Sequence, residues 1–269
     1  MDGNAVVSVT TDDGEPGVYG ADYLAWKSWG DSGFGILSRS TEKYYEAELK
    51  RAGVLDKREL KVLEVGFGNG DFMTFCQRRG WSVTGTEINP ELVEIGKAAG
   101  FDARIASDLD DLDADSFDLV VTIDVLEHIP PDGTIFFLKS LLRVLRPGGS
   151  LVAHFPNADS PFGLYNQNGD VTHVNAIGTG KARYYAHAAG ADLVFLHGEA
   201  RPIPAGALAH TGQRIVALPF RWAANLLARF VFLPGTNIDF AATALTMVLR
   251  KRTYVAPFCT RGDRAVARK

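Results

Sequence analysis

Between residues 60 and 157, short apolar runs alternate with longer amphipathic ones, and this rhythm leaves few folds open. LKVLEV, WSVTGTEI, DARIAS, FDLVVTID and SLVAHFPN read as strands. The apolar character of LKVLEV and FDLVVTID marks strands covered on both faces, as in a parallel sheet. The stretches between them carry helix punctuation. Gly80 closes the segment 70–80, Pro90 opens PELVEIGKAAG and Gly100 ends it, and a further helix is expected around 132–145 before an RPGG turn. Strands alternating with helices imply an α/β, doubly wound, Rossmann-like sheet with right-handed crossovers and helices on both faces.

After residue 157 the rhythm breaks. Residues 158–180, rich in Gly, Asn, Asp and Pro, read as a long loop of the kind that carries function. KARYYAHAAGADLVFLHGEA resumes as helix then strand, an apolar helix covers about 211–233, and FAATALTMVLRKR supplies a final strand. Ahead of the sheet, residues 18–52 carry Tyr19, Tyr23, Trp26, Trp29 and Phe34, and end in a helix, RSTEKYYEAELKRAG, that Ser40 or Thr41 is expected to cap. The expected organisation is an N-terminal extension and aromatic helical cap (1–52), a main domain (53–257) with an insertion and apolar helix at 158–235, and a basic tail (258–269).

The 269 residues, 46% hydrophobic, suffice for one sizeable core. A formal charge of −4 gives no global attraction to nucleic acid, and no Asn/Asp-Pro-Pro-Tyr/Phe motif for base amines is present. The two cysteines, Cys76 and Cys259, suggest neither a disulfide framework nor a zinc site. The acidic N-terminus lacks a basic region followed by an apolar run, so a cytoplasmic location is expected. Residues 215–234 are nearly all apolar, yet Pro219 and two arginines argue against a membrane span. Arg221, Asn225 and Arg229 fall four apart and form one polar stripe. Two readings stay open for the helix at 211–234: a core or homodimer-interface helix, or peripheral contact with the inner face of a membrane, to which the basic tail would add.

The stretch VLEVGFGNGDF joins the first strand to the first helix through Gly66, Gly68 and Gly70, spaced G-x-G-x-G. A dinucleotide fingerprint needs G-x-G-x-x-G, and its third glycine is here Asp71, a negative charge where pyrophosphate would lie. No Gly-Lys-Ser/Thr follows, which removes a P-loop. Glu64, two residues before Gly66, suits a ligand with a cationic amine. S-adenosylmethionine (SAM) has an ammonium, a sulfonium and no phosphate, so the loop favours SAM over NAD. Glu87, at the end of the second strand and 21 residues beyond Gly66, is placed to accept ribose hydroxyls.

With these residues in view, the span 60–157 resembles the class I SAM-dependent methyltransferases. LEVGFGNGDF, VTGTEINPELVEIGKAAG, ASDLDDL, FDLVVTIDVLEHI and LRPGGSLVAHFPN occur in family order. The resemblance implies a mostly parallel seven-stranded sheet ending in an antiparallel strand pair. It implies that Glu64, Gly66, Phe67, Gly68, Asn69 and Gly70 line the methionine part of SAM, and that Glu87 holds the ribose. Ile88 would pack on the adenine, with Ser107 and Asp108 near its amine, and Asp124 would face the sulfonium. DVLEHI and LRPGG look like the branch that methylates small-molecule oxygens, which includes ubiquinone-biosynthesis and sugar O-methyltransferases. DVTHVNAIGTGKARYYAHAAGADL is similar to methyltransferases of cell-surface polysaccharide pathways, which makes a sugar hydroxyl the expected acceptor and a phenolic, quinone or natural-product hydroxyl the alternative. A non-catalytic scaffold is a third reading, disfavoured because a scaffold need not keep Glu64, the glycines and Glu87.

A sugar hydroxyl is a poor nucleophile and calls for a base or a metal. His128, His154, His173, Asp124, Glu127 and Asp170 are the candidates. His173 is the expected base with Asp170 as its partner; the competing reading is a turn in which Asp170 caps the backbone near Thr172. Asp124, Glu127 and His128 form D-x-x-E-H, which would suit magnesium or zinc, or would only order the loop. His154 is expected to be satisfied within its strand. Tyr19, Tyr23, Trp26 and Trp29 form either a lid over the acceptor or plain packing.

Overall fold

The computed structural model describes residues 19–30, 33–202 and 208–253. Five strands run parallel: β1 (Lys61–Val65), β2 (Ser82–Glu87), β3 (Asp102–Ile105), β4 (Phe117–Ile123) and β5 (Leu145–Pro156). β7 (Ala244–Arg250) lies antiparallel between β5 and β6 (Asp192–Gly198), and closes a seven-stranded sheet of order β3-β2-β1-β4-β5-β7-β6. The reversal of strand order between β1 and β4 is the point at which ligands bind in doubly wound sheets, outside the carboxyl ends of the strands.

Side chains alternate across each strand, so neighbours in β1 and β4 feed two different cores. Leu63, Val65 and Val120 join the layer packed under α5 (Thr134–Val144) and α7 (Thr179–Ala189). Val62, Leu119 and Val121 join the opposite layer, under α2 (Arg39–Arg51), α3 (Asp71–Arg78) and α4 (Pro90–Ala98). Burial on both faces is why these strands are apolar throughout. In the second layer Tyr45 of α2 meets Phe72 and Phe75 of α3 edge-on, at 5.0 and 5.6 Å. Cys76 is fully buried in the same layer. The N-terminal segment, with α1 (Ala21–Lys27), is thus continuous with the core through Leu24, Leu37, Tyr45 and Leu49.

Local signals act largely where expected. Asn89 accepts the N–H groups of Glu91 and Leu92 and Pro90 opens α4, while Gly80 and Gly100 take positive φ just past their helices. Four details differ. The cap of α2 is Ser38, not Ser40 or Thr41, because Ser38 is extended and accepts the Thr41 N–H while the other two already lie in the first turn. β5 begins at Leu145, so RPGG is absorbed into the strand through a register shift opposite Phe117–Leu119. The stretch 158–180 is not loop throughout, since Leu164–Asn168 forms a short helix, α6. The apolar helix α8 (Leu208–Leu227), continued by a π turn at Ala228–Phe232, is not a core helix: of the 18 residues Ile215–Phe232 only 6% are buried.

Candidate active site

A cleft of about 760 Å³ opens at the carboxyl ends of β1, β2, β4 and β5. Its first wall is built by the two turns that leave β1 and β2. Gly66, Gly68 and Gly70 all take positive φ. A Cβ at Gly66 would sit 2.6 Å from Val125, so this position has room for glycine alone. Gly66, Phe67, Gly68 and Asn69 line the cleft, whereas Gly70 lies outside its lining and caps α3 beneath the ring of Phe34. Phe67 is almost fully buried, edge-on to Phe34.

Glu87 accepts three backbone N–H groups, from Gly68 (3.0 Å), Ile88 (2.7 Å) and Asn89 (3.2 Å). Burial pushes its carboxyl up, against the pull of those donors. The bonds fix its orientation and leave lone-pair capacity toward the cleft. Glu64 differs. It is buried, and its Oε2 has no hydrogen-bond partner among the described residues. Burial, and then the neighbouring Asp71 and Glu87 carboxylates, push its carboxyl well above the ordinary value. An unpartnered buried carboxylate oxygen is costly unless a ligand completes it. The ammonium of SAM is such a group, so the donors and acceptors present fit this cofactor. Ile88 lines the cleft beside Ala106 and Leu109, and the side chains of Ser107 and Asp108 lie outside the described residues.

Asp124, just past β4, occupies a left-handed conformation (φ 53°) that is unusual for a residue with a side chain. Its N–H donates to the His154 carbonyl, and its Oδ1 lies 2.7 Å from His154 Nδ1. Its side chain is 57% exposed, so desolvation raises it little, and the facing His154 holds Asp124 below the ordinary value. Burial alone would lower His154; Asp124 and Glu199 reverse this and raise it well above its usual value, so the pair is ionic at neutral pH. Glu199 Oε2 is 3.7 Å from His154 Nε2 and accepts the Thr243 hydroxyl through Oε1. His154 is therefore more than a satisfied strand residue, because it lines the cleft between two acids.

The second wall joins three distant segments. Glu127 and His128 sit on a 3₁₀ turn, Leu126–His128, with Glu127 at 0% exposure and both carboxylate oxygens unpartnered among the described residues. Burial, with Asp124 nearby, pushes Glu127 well up. His173 lies with its ring 4.6 Å from that of His128, and its Nε2 is 3.8 Å from Glu127 Oε1 and 3.7 Å from Asp170 Oδ2. Asp170 does cap the Thr172 N–H (3.0 Å), as the turn reading had it, and the Thr172 hydroxyl also donates to Asp170. That hydroxyl lies 2.8 Å from His128 Nδ1. With its own proton on Asp170, Thr172 accepts from His128, which leaves the lone pair of the neutral ring on Nε2. Burial, reinforced by His173, lowers His128 to about 4, so the ring is neutral at pH 7.

Among the described residues, the nitrogen and oxygen atoms that converge closely are those of Glu127, His128 and His173, within 4.8 Å of one another. The expected set of Asp124, Glu127 and His128 is not the one assembled, because Asp124 turns to His154. Two imidazoles and one carboxylate are a donor set for zinc or a similar transition ion more than for magnesium.

The N-terminal segment closes over both walls. Tyr19 OH lies 3.2 Å from His128 Nδ1, Tyr23 OH donates to Asp170 (3.2 Å), and Trp29 packs on Gly68. Lys27 reaches Asp170 (2.9 Å) with its ammonium over the rings of Tyr23, Trp26 and Trp29. Lysine at the fourth position after Tyr23 and the first after Trp26 is the one sequence signal for this cluster. Lys27, Asp71, Thr172 and Glu199 are site residues that the sequence reading left out. Asp71 lines the cleft and accepts the Tyr45 hydroxyl at 2.8 Å.

Known proteins agree with this geometry. Residues 37–199 match the family described as methyltransferase domain. The chain is 34% identical over 116 residues to a ubiquinone biosynthesis O-methyltransferase of Xanthomonas oryzae pv. oryzae (strain PXO99A), covering 40% of this chain and 45% of that protein. It thus spans under half the length of the curated relatives it matches. A SAM-dependent methyltransferase from Archaeoglobus fulgidus superposes with TM-score 0.60 at 18% identity, over 86% of this chain and 100% of the other. One from Mesorhizobium loti gives 0.52 at 18%, over 82% and 100%. Glycine turn, paired acids, sheet order and sequence match converge: this chain belongs to the methyltransferase-domain family.

Proposed function

We propose that the protein transfers the methyl group of SAM to a hydroxyl oxygen of a small molecule carrying an aromatic ring, of phenol or quinol type. One observation carries the reading. The imidazoles of His128 and His173, with Asp170 and Lys27, face a space covered by the rings of Tyr19, Tyr23, Trp26 and Trp29 in the same cleft as the unpartnered Glu64. Flat aromatic walls suit a flat acceptor, and a phenol, which ionises near pH 10, asks less of its base than an alkyl hydroxyl. The relatives named ubiquinone biosynthesis O-methyltransferases support oxygen as the acceptor atom. A sugar hydroxyl, the acceptor expected from the sequence, is the second reading; the Asp170–Lys27 pair favours it, since these polar groups could hold a ring diol.

When bound, SAM would supply a methyl group on a positively charged sulfur. Glu64 would hold its ammonium and Glu87 its ribose hydroxyls, and Ile88 would pack on the adenine. Asp124, kept ionised by His154, sets a negative charge on the sulfonium side of the cleft. His173 takes the acceptor proton, and the ionised Asp170, 3.7 Å away, stabilises the resulting imidazolium. The closed cap orients the acceptor and excludes water. A cation held by Glu127, His128 and His173 would be an alternative to this base, because it would occupy the His173 lone pair and would itself polarise the acceptor oxygen.

The test is release of S-adenosylhomocysteine from SAM with catechols and quinols in one series and nucleotide sugars in another. Turnover with the aromatic series alone is expected. Turnover with sugars alone would replace this acceptor class by the second reading, and methylation of amines alone would overturn oxygen transfer.

A further inference from the structure

α8 is assembled inside out. Asn225 and, in the π turn that continues the helix, Arg229 face the protein: Asn225 donates to Asp239 and accepts the Ala241 N–H (both 2.9 Å), and Arg229 donates to the Ile238 carbonyl (2.9 Å). Its apolar residues face away. Phe220 is 71% exposed, Trp222 68%, Phe230 83% and Phe232 73%. Scattered apolar side chains on a surface need no explanation, but a continuous array of this size does.

We propose that this face of α8 docks into the interfacial layer of a lipid bilayer. Three observations favour lipid over a second copy of the chain. First, the exposed apolar residues wrap around the helix. Ile215, Val216 and Leu218, all exposed, already point in directions about 100° apart per residue step. A partner helix covers a narrow seam, whereas lipid covers every direction. Second, no Asp, Glu, Lys or Arg is exposed among the described side chains from 212 to 237. The exposed polar side chains described there, Gln213, Thr236 and Asn237, sit only at the two ends, so the centre of the face lacks the hydrogen-bonding groups spread through specific protein interfaces. Third, Trp222 and three phenylalanines give the face the composition of interfacial helices. The bonds from Asn225 and Arg229 fasten the C-terminal end of the helix and the π turn after it to the domain, so we place it on the bilayer and not across it, although its length and composition alone would allow a span.

The location has a consequence. The insertion that bears α8 leaves the sheet after Gly198 of β6 and returns at Ala244 of β7, and Glu199 and Ala244 both line the cleft. Docking through α8 therefore brings the rim of the cleft close to the lipid headgroups.

Co-sedimentation of the full chain with phosphatidylcholine vesicles tests this, at 0.1 and 0.5 M salt as chosen conditions, roughly one and three times physiological. The uncharged face predicts equal partition into neutral vesicles at both. The double variant Phe220→Ser, Phe230→Ser should lower that partition about tenfold or more while its affinity for SAM, read by calorimetry, stays unchanged. Intact SAM binding separates loss of docking from loss of the fold. Absence of wild-type protein from neutral vesicles would overturn the proposal. So would binding only to vesicles containing phosphatidylglycerol and lost in high salt. A dimer that the same double variant converts to monomer, without vesicle binding, would assign the face to a second copy instead.

Discussion

The two walls of the cleft are built in different ways. The wall proposed to hold SAM comes from two consecutive strand–turn–helix units, and Glu64, Gly66, Gly68 and Glu87 lie within 24 residues of one another. The wall proposed to hold the acceptor gathers Lys27, His128, Asp170, His173 and Glu199 from segments up to 172 residues apart. On the first wall backbone geometry sets the polar groups, with three N–H donors converging on Glu87. On the second, side chains hold side chains, through the path from Lys27 to Asp170, Thr172 and His128. A wall made of backbone is tied to the fold itself; a wall made of side chains can be rewritten without touching the sheet.

Substitutions should separate the two. His173→Ala is expected to lower kcat by roughly a hundred- to ten-thousandfold, the usual worth of a general base, while calorimetric SAM affinity is kept. Equal turnover in wild type and variant would remove His173 from the chemistry. Glu64→Gln should do the reverse, and weaken SAM roughly ten- to a hundredfold through loss of a charge-assisted hydrogen bond, with kcat at saturating SAM much less affected. If both variants change the same parameter, the walls are not independent.

Acidity sharpens the contrast further. The Glu64 carboxyl is raised in the free protein, and a bound ammonium favours its ionised form. Below that raised value, binding must expel a proton, so SAM affinity should fall as pH falls, approaching tenfold per unit, and level off above it. An affinity flat in pH, measured in the wild type and absent of slope in Glu64→Gln alike, would mean that the ammonium is met elsewhere. The smallest effect is expected for Lys27→Met. It loses the ion pair with Asp170 and the contacts over three aromatic rings, about two- to fivefold in acceptor KM, with SAM affinity unchanged.

Legibility followed the same division. The parallel strands showed as apolar runs because Leu63 and Val62 serve opposite cores. The glycine turn showed because positive φ at three positions demands that residue type. The D-x-x-E-H motif pointed at the correct turn, but periodicity cannot say which way a side chain turns at a strand end. Asp124 turned to His154, and His173, 49 residues beyond it in the sequence, came in its place. Glu199 gave no local sign, since its partner His154 is brought opposite only by the antiparallel pairing of β7 with β5 and β6. The stripe Arg221–Asn225–Arg229 was plain in the sequence, and its direction was not: a polar stripe usually faces water, and here Asn225 and Arg229 bond to the protein.

One segment fastens to both walls. Trp29 rests on Gly68 and the Asn89 amide donates to the Tyr19 carbonyl, while the hydroxyls of Tyr19 and Tyr23 reach His128 and Asp170. The side chains that meet the acceptor side are therefore held in place by contacts to the cofactor side, so the two halves of the cleft share one brace. If cofactor binding seats that brace, product-inhibition kinetics should show SAM as the first substrate on and S-adenosylhomocysteine as the last product off, and a random order would show that the two ends act independently.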